Sequence, residues 1–537
     1  MFFAALAAYL STVAVTVTFW DSGELIAAAS QLGISHQPGY PVFCLLGKLF
    51  SLVFPFGNIA YRVNLLSAVF SAAAAALVFA IIRLIAGGQG ISKEALAASM
   101  ACAYAFVRVV WSQAVVAEVY AQSSMALAAL VVVHVLAAKG ELSREKYFTL
   151  TGFIFGIGVV VHESFVLFLP GIAAGWFLVY GRPDRGLIKL SVISCFFIIL
   201  GLSAWMYLPV RSSVGPSLDI GHPDNLTRLR HVLMVDEYLG ALKGLPVTAE
   251  ALAAKASFSD WRLWAGLFAC GFAAFRLVRQ DRRLFVPIIL FALVYGLGIA
   301  TQVLGGGKEE AFGLERKFFI PVFMLGFIML GGLAKEALEA DRRFEWAMVA
   351  VFAAAAVWLF SVNRFPDDYS KNFIAYDYAG NSLNSAGERG ILFTWGDNGA
   401  FPLWYRQEVE RYRDDVTAIH EPLMTYDWYL RRINDNLGVD MKFLNPYFLG
   451  ENTFRIFRTM SPSRPVAYDY STVNFMKLDE AKLKARGLVY FEGKVPPGDP
   501  WPMYNFRGVE DQSVFKGGME LNIIQIYEYQ QKRTGTK

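Results

Sequence analysis

Residues 1–19 read MFFAALAAYLSTVAVTVTF, and Trp20-Asp21-Ser22-Gly23-Glu24 follows at once. The first stretch has no charged side chain and predicts a membrane helix, which we expect to be retained because no signal-peptide cleavage site follows it. Two carboxylates then stand where this helix leaves the hydrocarbon, a depth at which ionisable groups require partners, water or a function. Taken alone, Asp21 and Glu24 also suit a solvated loop or a helix cap.

The composition indicates a multi-pass membrane protein. Of 537 residues, 55% are hydrophobic and 18% are charged, which is more apolar surface than a soluble chain of this size can bury. The net charge of +4 gives no case for nucleic-acid binding. The four cysteines have neither metal nor disulfide spacing, and no cofactor motif is found, so neither a metal nor a cofactor is expected.

About eleven apolar runs are suited to cross the bilayer. They cover residues 2–19, 63–86, 95–111, 119–138, 147–161, 164–180, 187–207, 260–277, 284–303, 318–334 and 344–361. Positive charge collects in alternate loops, for example at Arg182, Arg185 and Lys189, and the positive-inside rule assigns these loops to the cytoplasm. The amino terminus is then cytoplasmic and everything after residue 361 lies outside, which is the periplasm if the membrane is a bacterial inner membrane.

The predicted outer face collects the ionisable residues that lie near the membrane. They are Asp21, Glu24, His36, Glu118, His162, Glu163 and Arg211. The main outer loops cover residues 20–61 and 208–259. In the first loop, residues 22–32 predict a short amphipathic helix, residues 35–41 a rigid turn, and residues 42–54 a helix in the membrane interface. His36 is equally suited to a hydrogen-bonded position in that turn.

Residues 362–537 are predicted to form a second domain, after a transmembrane domain of residues 1–361. Short apolar strands at 390–395, 416–419, 464–468 and 488–491 alternate with helices at 401–412 and 426–433. This alternation is typical of a small α/β domain, here outside the membrane. Asp397 follows the first strand and suits either a ligand contact or a turn.

Several motifs, in order along the chain, resemble one family. They are Thr18-Phe19-Trp20-Asp21-Ser22-Gly23-Glu24, His36-Gln37-Pro38-Gly39-Tyr40-Pro41, Ala117-Glu118-Val119-Tyr120, Tyr207-Leu208-Pro209-Val210-Arg211, Ile220-Gly221-His222-Pro223 and Gly396-Asp397-Asn398. The chain is similar in these to the GT-C-fold membrane glycosyltransferases that include the animal transmembrane protein O-mannosyltransferase. It departs from the family at Gln37, where Pro is common, and at His222, where Asp is common. The resemblance implies a polytopic α-helical GT-C fold, a polyprenyl-phosphate sugar as donor, mannose as the sugar, and Asp21 as general base.

The chemistry of such a transfer assigns roles to the other candidates. The base deprotonates the acceptor hydroxyl, and a cation beside the departing phosphate stabilises its charge. Arg211 is the first candidate for that cation, and Arg316 and Lys317 are the second choices, although both also suit headgroup snorkelling. The other expected substrate contacts are Glu24, His36, Tyr40, Glu118, Tyr120 and His162. His162 equally suits a helix cap. A single direct displacement inverts the anomeric centre and requires no metal.

Four functions compete. The favoured one transfers the sugar to a Ser/Thr hydroxyl of an exported protein, and the second transfers it to a lipid or a surface polysaccharide. The third is a transporter or flippase for lipid-linked sugars, which would place polar groups near the bilayer midplane rather than at one face. The fourth, a receptor-like binding protein, needs no acids in the first loop. The expected partners are therefore the polyprenyl-phosphate sugar, an exported protein or glycan acceptor and membrane lipid.

Overall fold

The computed structural model of the chain describes residues 1–181, 185–235, 261–305, 315–340, 342–438, 449–460, 462–507 and 518–534. Its first part is helical. The helices are α1 (Phe2–Leu10), α2 (Ser22–Gln31), α3 (Pro41–Val53), α4 (Ile59–Ala86), α5 (Ile91–Ala105), α6 (Arg108–Ala114), α7 (Tyr120–Ala138), α8 (Arg144–Val161), α9 (Leu169–Tyr180), α10 (Arg185–Leu202), α11 (Tyr207–Ser212), α12 (Leu226–Leu233), α13 (Trp261–Gln280), α14 (Arg282–Gly305), α15 (Ile320–Ala340) and α16 (Arg342–Asn363).

Seven helical segments in the described residues are long and apolar enough to cross a membrane, or eight if α5 and α6, bent by 71°, count as one span. The seven are Ile59–Ala86, Tyr120–Ala138, Glu163–Tyr180, Ile188–Ser212, Arg282–Ala300, Lys317–Lys335 and Phe344–Asn363. The chain is therefore a multi-pass membrane protein, as predicted. The predicted count of about eleven is not reproduced in this part of the chain.

The predicted first span is one place where the prediction was wrong. Residues 2–19 are helical only over Phe2–Leu10, and the chain then runs without regular structure to Asp21. Tertiary contacts replace the helical hydrogen bonds: the Asn64 amide donates to the Ala14 carbonyl oxygen (2.8 Å), and the Trp111 indole N–H donates to the Thr12 hydroxyl (2.8 Å). Non-helical backbone is tolerated at membrane depth when it is buried in protein in this way.

Helix α4 is central to the bundle. Asn58 caps its start, because the Asn58 side chain accepts the Tyr61 N–H (2.8 Å). Gly87, which has φ 62°, follows its last residue. Helices α1, α5, α7 and α15 all pack against it. Residues 72–76 of α4 are five consecutive alanines. Such small side chains allow close helix approach where no hydrophobic effect drives association.

The first outer loop contains the two predicted helices, but they differ in burial. α3 packs on α2 and α4, and it exposes an apolar stripe formed by Leu45, Leu49 and Leu52. This is the surface expected of a helix in the membrane interface. Helix α2, predicted to be amphipathic, is buried from Ser22 to Ser30. It needs no polar face because the carboxyl-terminal domain covers the side that would meet water.

The loops of the bundle are sorted into two ends. At one end, Arg83 contacts Glu94, the Lys139 ammonium donates to the Leu84 carbonyl oxygen (2.9 Å), and Ser92 bonds to Glu345. The segments around Asp21 meet the carboxyl-terminal domain at the other end. This separation agrees with the predicted sorting of loops. Which end faces the cytoplasm stays a prediction.

The carboxyl-terminal part contains a five-stranded sheet, which confirms the predicted small α/β domain. The strands are β1 (Ile391–Thr394), β2 (Thr417–His420), β3 (Val466–Asp469), β4 (Lys484–Arg486) and β5 (Val489–Phe491), in the order β2-β1-β3-β5-β4. Strands β2, β1 and β3 are parallel, and β5 and β4 are antiparallel to their neighbours. The helices are α17 (Ile374–Ser385), α18 (Asp397–Trp404), α19 (Asp427–Leu437), α20 (Leu449–Met460), α21 (Tyr470–Phe475) and α22 (Gly518–Thr534).

Strand β1 lies at the centre of this domain. Residue 391 pairs with Thr417 on one side and with Val466 on the other. All of its residues are buried, because both faces of the sheet carry apolar clusters, one around Phe393 and the other around Leu392. The chain continues from the carboxyl end of β1 into α18, which packs against α2. The exact boundary between the two domains stays a prediction.

Candidate active site

The position of Asp21 is determined by contacts on both sides of it. Trp20 has φ 63°, which a bulky residue seldom adopts, and its N–H donates to the Asn398 side-chain oxygen (2.8 Å). At Gly23 a Cβ atom would lie 2.3 Å from the carbonyl oxygen of Phe401, so only glycine allows α2 to approach α18 this closely. Asp21 is therefore held between the bundle and the carboxyl-terminal domain.

Asp21, Glu118 and Lys317 form a charged triad. The Lys317 ammonium lies 3.5 Å from Asp21 Oδ2 and 3.3 Å from Glu118 Oε1. The Asp21 side chain keeps 22% of its surface exposed, whereas Glu118 is buried. The second oxygen of Glu118 has no hydrogen-bond partner among the described residues. One ammonium is thus shared by two acidic side chains, and one acceptor atom of Glu118 is left unused.

A second ion pair lies beside the triad. The His36 ring Nδ1 is 2.6 Å from Glu24 Oε2, and the His36 backbone N–H also donates to Glu24, which is fully buried. Burial disfavours the charged imidazole, but the Glu24 carboxylate, with help from Asp21, outweighs it and raises the pKa of His36 to about 10. His36 is therefore a cation at neutral pH. It is also the anchored turn residue that was the alternative interpretation.

Aromatic rings form a wall next to these charges. The aromatic wall consists of Tyr40, Tyr120, His162 and Phe318, with ring centroids 5.4 Å apart for Tyr120 and His162 and 5.5 Å for Tyr120 and Phe318. The His36 ring packs against the Tyr40 ring of this wall, with centroids 5.1 Å apart. The Lys317 ammonium lies 4.9 Å from the Tyr120 ring centroid, a cation–π contact.

His162 has a capping role as well as a place in the aromatic wall. Its ring Nδ1 accepts the Ser164 N–H (3.3 Å) at the start of the short helix Glu163–Phe168. His162 therefore caps a helix, which was one of the two interpretations of this residue in the sequence. The same ring also contacts Tyr40 and Tyr120.

Asp21 and Glu118 of the triad and the nearby Asp397 differ in pKa. Burial alone would raise the pKa of Asp21, but the positive charges of Lys317 and His36 outweigh it and hold this pKa below its usual value. Burial, together with the charge of Asp21, raises the pKa of Glu118 to about 7 in spite of Lys317. The same two causes raise the pKa of Asp397 to about 6. Of these three acids, Asp21 therefore keeps its negative charge to the lowest pH.

The structure brings most of the predicted site residues together. They are Asp21, Glu24, His36, Tyr40, Glu118, Tyr120 and His162. Arg211, the first candidate for the phosphate cation, lies elsewhere: its guanidinium donates to the carbonyl oxygens of Leu32 (2.6 Å) and Gln31 (3.4 Å). Cations are stabilised at the carboxyl end of a helix, which explains this placement at the end of α2. The Arg316 side chain is outside the described residues, and Lys317, the other second choice, lies in the charged triad.

Two contributors were not predicted from the sequence. Phe318 completes the aromatic wall, and Asn398 holds the backbone next to Asp21. The pairing of Lys317 with Glu118 was not predicted either, although both residues had been named separately. The described residues contain no group of three His, Cys, Asp or Glu side chains that could hold a metal ion. The expectation of a metal-free site stays a prediction.

The helical bundle with its small sheet domain has a GT-C-like fold. The crystal structure of ArnT from Cupriavidus metallidurans bound to undecaprenyl phosphate has this fold: it matches 92% of the present chain and 96% of its own, with a TM-score of 0.56 at 10% identity. The apo form of the same protein matches with a TM-score of 0.53.

Sequence comparison narrows this class to one family. The family model "Protein O-mannosyl-transferase TMEM260 N-terminal domain" matches residues 21–184, and "TMEM260-associated domain 2" matches residues 375–484. The chain belongs to the protein O-mannosyl-transferase TMEM260 family, as the sequence motifs predicted. Protein O-mannosyl-transferase TMEM260 of Mus musculus is 28% identical over 447 residues, which cover 78% of this chain and 61% of the relative. The Dictyostelium discoideum protein is 25% identical and is covered over 56% of its length. The chain thus spans about three fifths of the length of these relatives.

Proposed function

We propose that this protein is a membrane glycosyltransferase that moves mannose from a polyprenyl phosphate to a Ser/Thr hydroxyl of an exported protein. The names of the relatives in mouse and Dictyostelium support the reaction class, and the undecaprenyl phosphate bound to ArnT supports the class of donor. The single observation that carries the proposal is the charged triad, in which a partly exposed carboxylate and an ammonium share one site.

In this proposal Asp21 is the general base. Its pKa lies below its usual value because Lys317 and His36 outweigh the effect of burial, so the carboxylate is available to accept a proton. A donor phosphate that engages Lys317 withdraws one of these positive charges, and the basicity of Asp21 then rises when it is needed. A positioned base contributes about 10²–10⁴-fold to such a reaction.

Lys317 is the cation for the departing phosphate. Its ammonium stands between two acids and has three N–H donors, so a phosphate oxygen can replace a carboxylate contact without leaving the lysine bare. Charge-assisted hydrogen bonds to phosphate are about twice as strong as neutral ones. A cation at the leaving group stabilises the charge that develops in the transition state.

The proposed displacement has one step. The acceptor oxygen attacks the anomeric carbon, its proton passes to Asp21, and the bond between that carbon and the phosphate oxygen breaks. The electron pair leaves with the polyprenyl phosphate, which Lys317 holds, and the anomeric centre is inverted. The aromatic wall of Tyr40, Tyr120, His162 and Phe318 offers flat surfaces for the sugar ring.

The protein is proposed to lie in a bacterial inner membrane, with its amino terminus in the cytoplasm and its carboxyl-terminal domain in the periplasm. The orientation is supported by the distribution of Lys and Arg among the loops. Arg83 and Lys139 lie at the bundle end remote from Asp21.

Intact mass analysis of exported proteins tests the proposal. Cells with and without the gene are compared, and a strain with the gene restored is the control. The expected result is a loss of hexose from specific exported proteins, which reappears on restoration. Unchanged protein masses together with an altered glycolipid or surface polysaccharide would favour the second transferase function, and no change in either fraction would overturn the proposal.

A further inference from the structure

The carboxyl-terminal domain has a cleft at the carboxyl ends of β1 and β3. This sheet-end cleft has a volume of about 670 Å³ and is lined by the β1–α18 loop, by α21 and by α22. Such a volume falls within the range of about 300–1,000 Å³ that is typical of ligand clefts. The chain leaves β1 for β2 on one side of the sheet and returns to β3 on the other, and ligands of parallel sheets bind in the crevice at such a point.

The lining of the cleft combines aromatic and aliphatic side chains with uncharged polar ones, and it carries almost no charge. Carboxamide side chains line all three walls: Asn398 from the first turn of α18, Asn474 from α21, and Asn522 and Gln525 from α22. Among the described residues that line it there is one acid, Asp397, and no Lys, Arg or His. A phosphate group would meet a carboxylate and no cation, so the donor headgroup does not suit this cleft.

The cleft lies next to the charged triad. Asn398, which lines it, accepts the N–H of Trp20, and Trp20 immediately precedes Asp21. Asp397 lines the cleft and lies within reach of the charges of Asp21 and His36. A chain held in the cleft can therefore continue to the position where a hydroxyl meets Asp21.

We propose that the sheet-end cleft is the acceptor subsite and holds an extended, uncharged segment of the acceptor polypeptide beside the hydroxyl that is modified. This inference rests on the proposed function. Each carboxamide offers both a donor and an acceptor, which suits the alternating N–H and C=O groups of an extended peptide. Asp397, together with the acids near it, disfavours acidic residues next to the modified Ser or Thr.

The test uses the purified full chain, labelled polyprenyl-phosphate mannose and a library of synthetic Ser/Thr peptides that differ in the charge of the flanking residues. The variant Asn474→Ala/Gln525→Ala removes one carboxamide from each of two walls, and both side chains are exposed, so folding is retained. We expect the KM for the peptide to rise about tenfold or more, with kcat and the KM for the donor unchanged. Wild-type protein should use peptides with acidic flanks least well.

Two further variants make the result specific. Asn522→Trp fills the cleft and is expected to raise the peptide KM in the same way. Asn436→Ala, on α19 in a separate cleft, is the matched control and should leave every constant unchanged.

The outcomes separate this inference from the proposed function. Wild-type protein that modifies no peptide and no exported protein would remove both. Wild-type protein that modifies peptides while the cleft variants keep the wild-type peptide KM would remove the acceptor subsite alone. Cleft variants that raise the KM for a glycan acceptor, but not for the peptides, would also contradict the proposed polypeptide subsite.

Discussion

The charged triad and the carboxyl edge of the sheet both bury acids, but they do so in opposite ways. In the triad, Lys317 lies within 3.5 Å of both Asp21 and Glu118, and the site stays partly exposed. At the sheet edge, Glu421 and Asp469, here called the sheet-edge acids, are buried, and no Lys or Arg of the described residues forms an ion pair with either.

Burial raises the pKa of both sheet-edge acids. Burial raises the pKa of Glu421 to about 8, even though the Thr453 hydroxyl donates to its Oε1 (2.7 Å). Burial likewise raises the pKa of Asp469 to about 7, although this residue caps α21 through the Thr472 N–H (2.6 Å). His420 beside them has its pKa lowered to about 3 by burial.

The difference teaches which buried acids can act in catalysis. Burial raises the pKa of a carboxyl group, whereas nearby cations lower it. Asp21 retains its charge because Lys317 and His36 are close, and its side chain is also partly exposed. The sheet-edge acids satisfy neither condition, so we assign them a structural role. Substitutions that remove either the cation or the buried acid test this contrast.

Removal of the cation has the largest expected effect. Lys317→Met leaves the leaving group without its positive charge and the donor without a charge-assisted contact. We expect kcat/KM for the donor to fall by about 10³–10⁵-fold. Transfer of labelled mannose and donor binding are measured in parallel. Lys335→Met, at the other end of the same candidate span, is the control, and a similar loss there would argue against a local role for Lys317.

The protonation of Glu118 gives the next largest effect. Its pKa of about 7 arises from burial and from Asp21, so the group gains negative charge as the pH rises from 6 to 8. That charge competes with the donor phosphate for Lys317, and we expect donor affinity to fall by about tenfold over this interval. Glu118→Gln should abolish this pH dependence. Glu94→Gln, at the opposite end of the bundle, should retain it.

Arg211→Met distinguishes a structural arginine from a phosphate ligand. The guanidinium holds the last carbonyl oxygens of α2, so its loss should lower the free energy of unfolding by about 1–3 kcal/mol. Donor affinity should stay within a factor of about two. Thermal unfolding and donor binding of the full chain are the measurements. Arg228→Met, which breaks the surface pair with Asp224, is the control. If Arg211→Met lost donor affinity with unchanged stability, Arg211 would be a phosphate ligand rather than a structural residue.

The smallest effect is expected at the sheet edge. The pKa of Glu421 is raised in the folded state, from about 4.5 to about 8. The contribution of this group to the free energy of unfolding is therefore fully present below pH 4.5 and is lost as the pH rises toward 8. Glu421→Gln keeps the hydrogen bond from Thr453 and should stabilise the full chain at pH 8 by about 1 kcal/mol. The surface variant Glu492→Gln should leave the pH profile of unfolding unchanged. Lost transfer activity in Glu421→Gln would contradict its structural role.

The first outer loop and the strands of the sheet were predictable from the sequence because their signals are local. The apolar run 390–395 is β1 over Ile391–Thr394, and Asp21 and Glu24 each belong to the cluster of charged residues described above. The failures depend on distant residues. The predicted span 2–19 ends at Leu10 because side chains from α4 and α6 bond the backbone and side chains that follow. Strand β4 (Lys484–Arg486) is short and polar, and it forms only because β5 is next to it.

The choice between Arg211 and Lys317 could not be made from the sequence for the same reason. Both basic residues stand at predicted outer ends of spans, and no local pattern separates them. Lys317 meets Asp21 across 296 positions of the chain, through the packing of α15 against the rest of the bundle. Arg211 instead bonds the end of α2, 179 positions away in the sequence.

The base role of Asp21 is tested most directly by single-turnover transfer of labelled mannose with Asp21→Asn. The substitution keeps the size of the side chain and removes its ability to take the hydroxyl proton. We predict that the rate of transfer falls by about 10²–10⁴-fold, while the donor binds with nearly wild-type affinity. Transfer at the wild-type rate, or a loss of transfer that is explained by lost donor binding alone, would contradict the account.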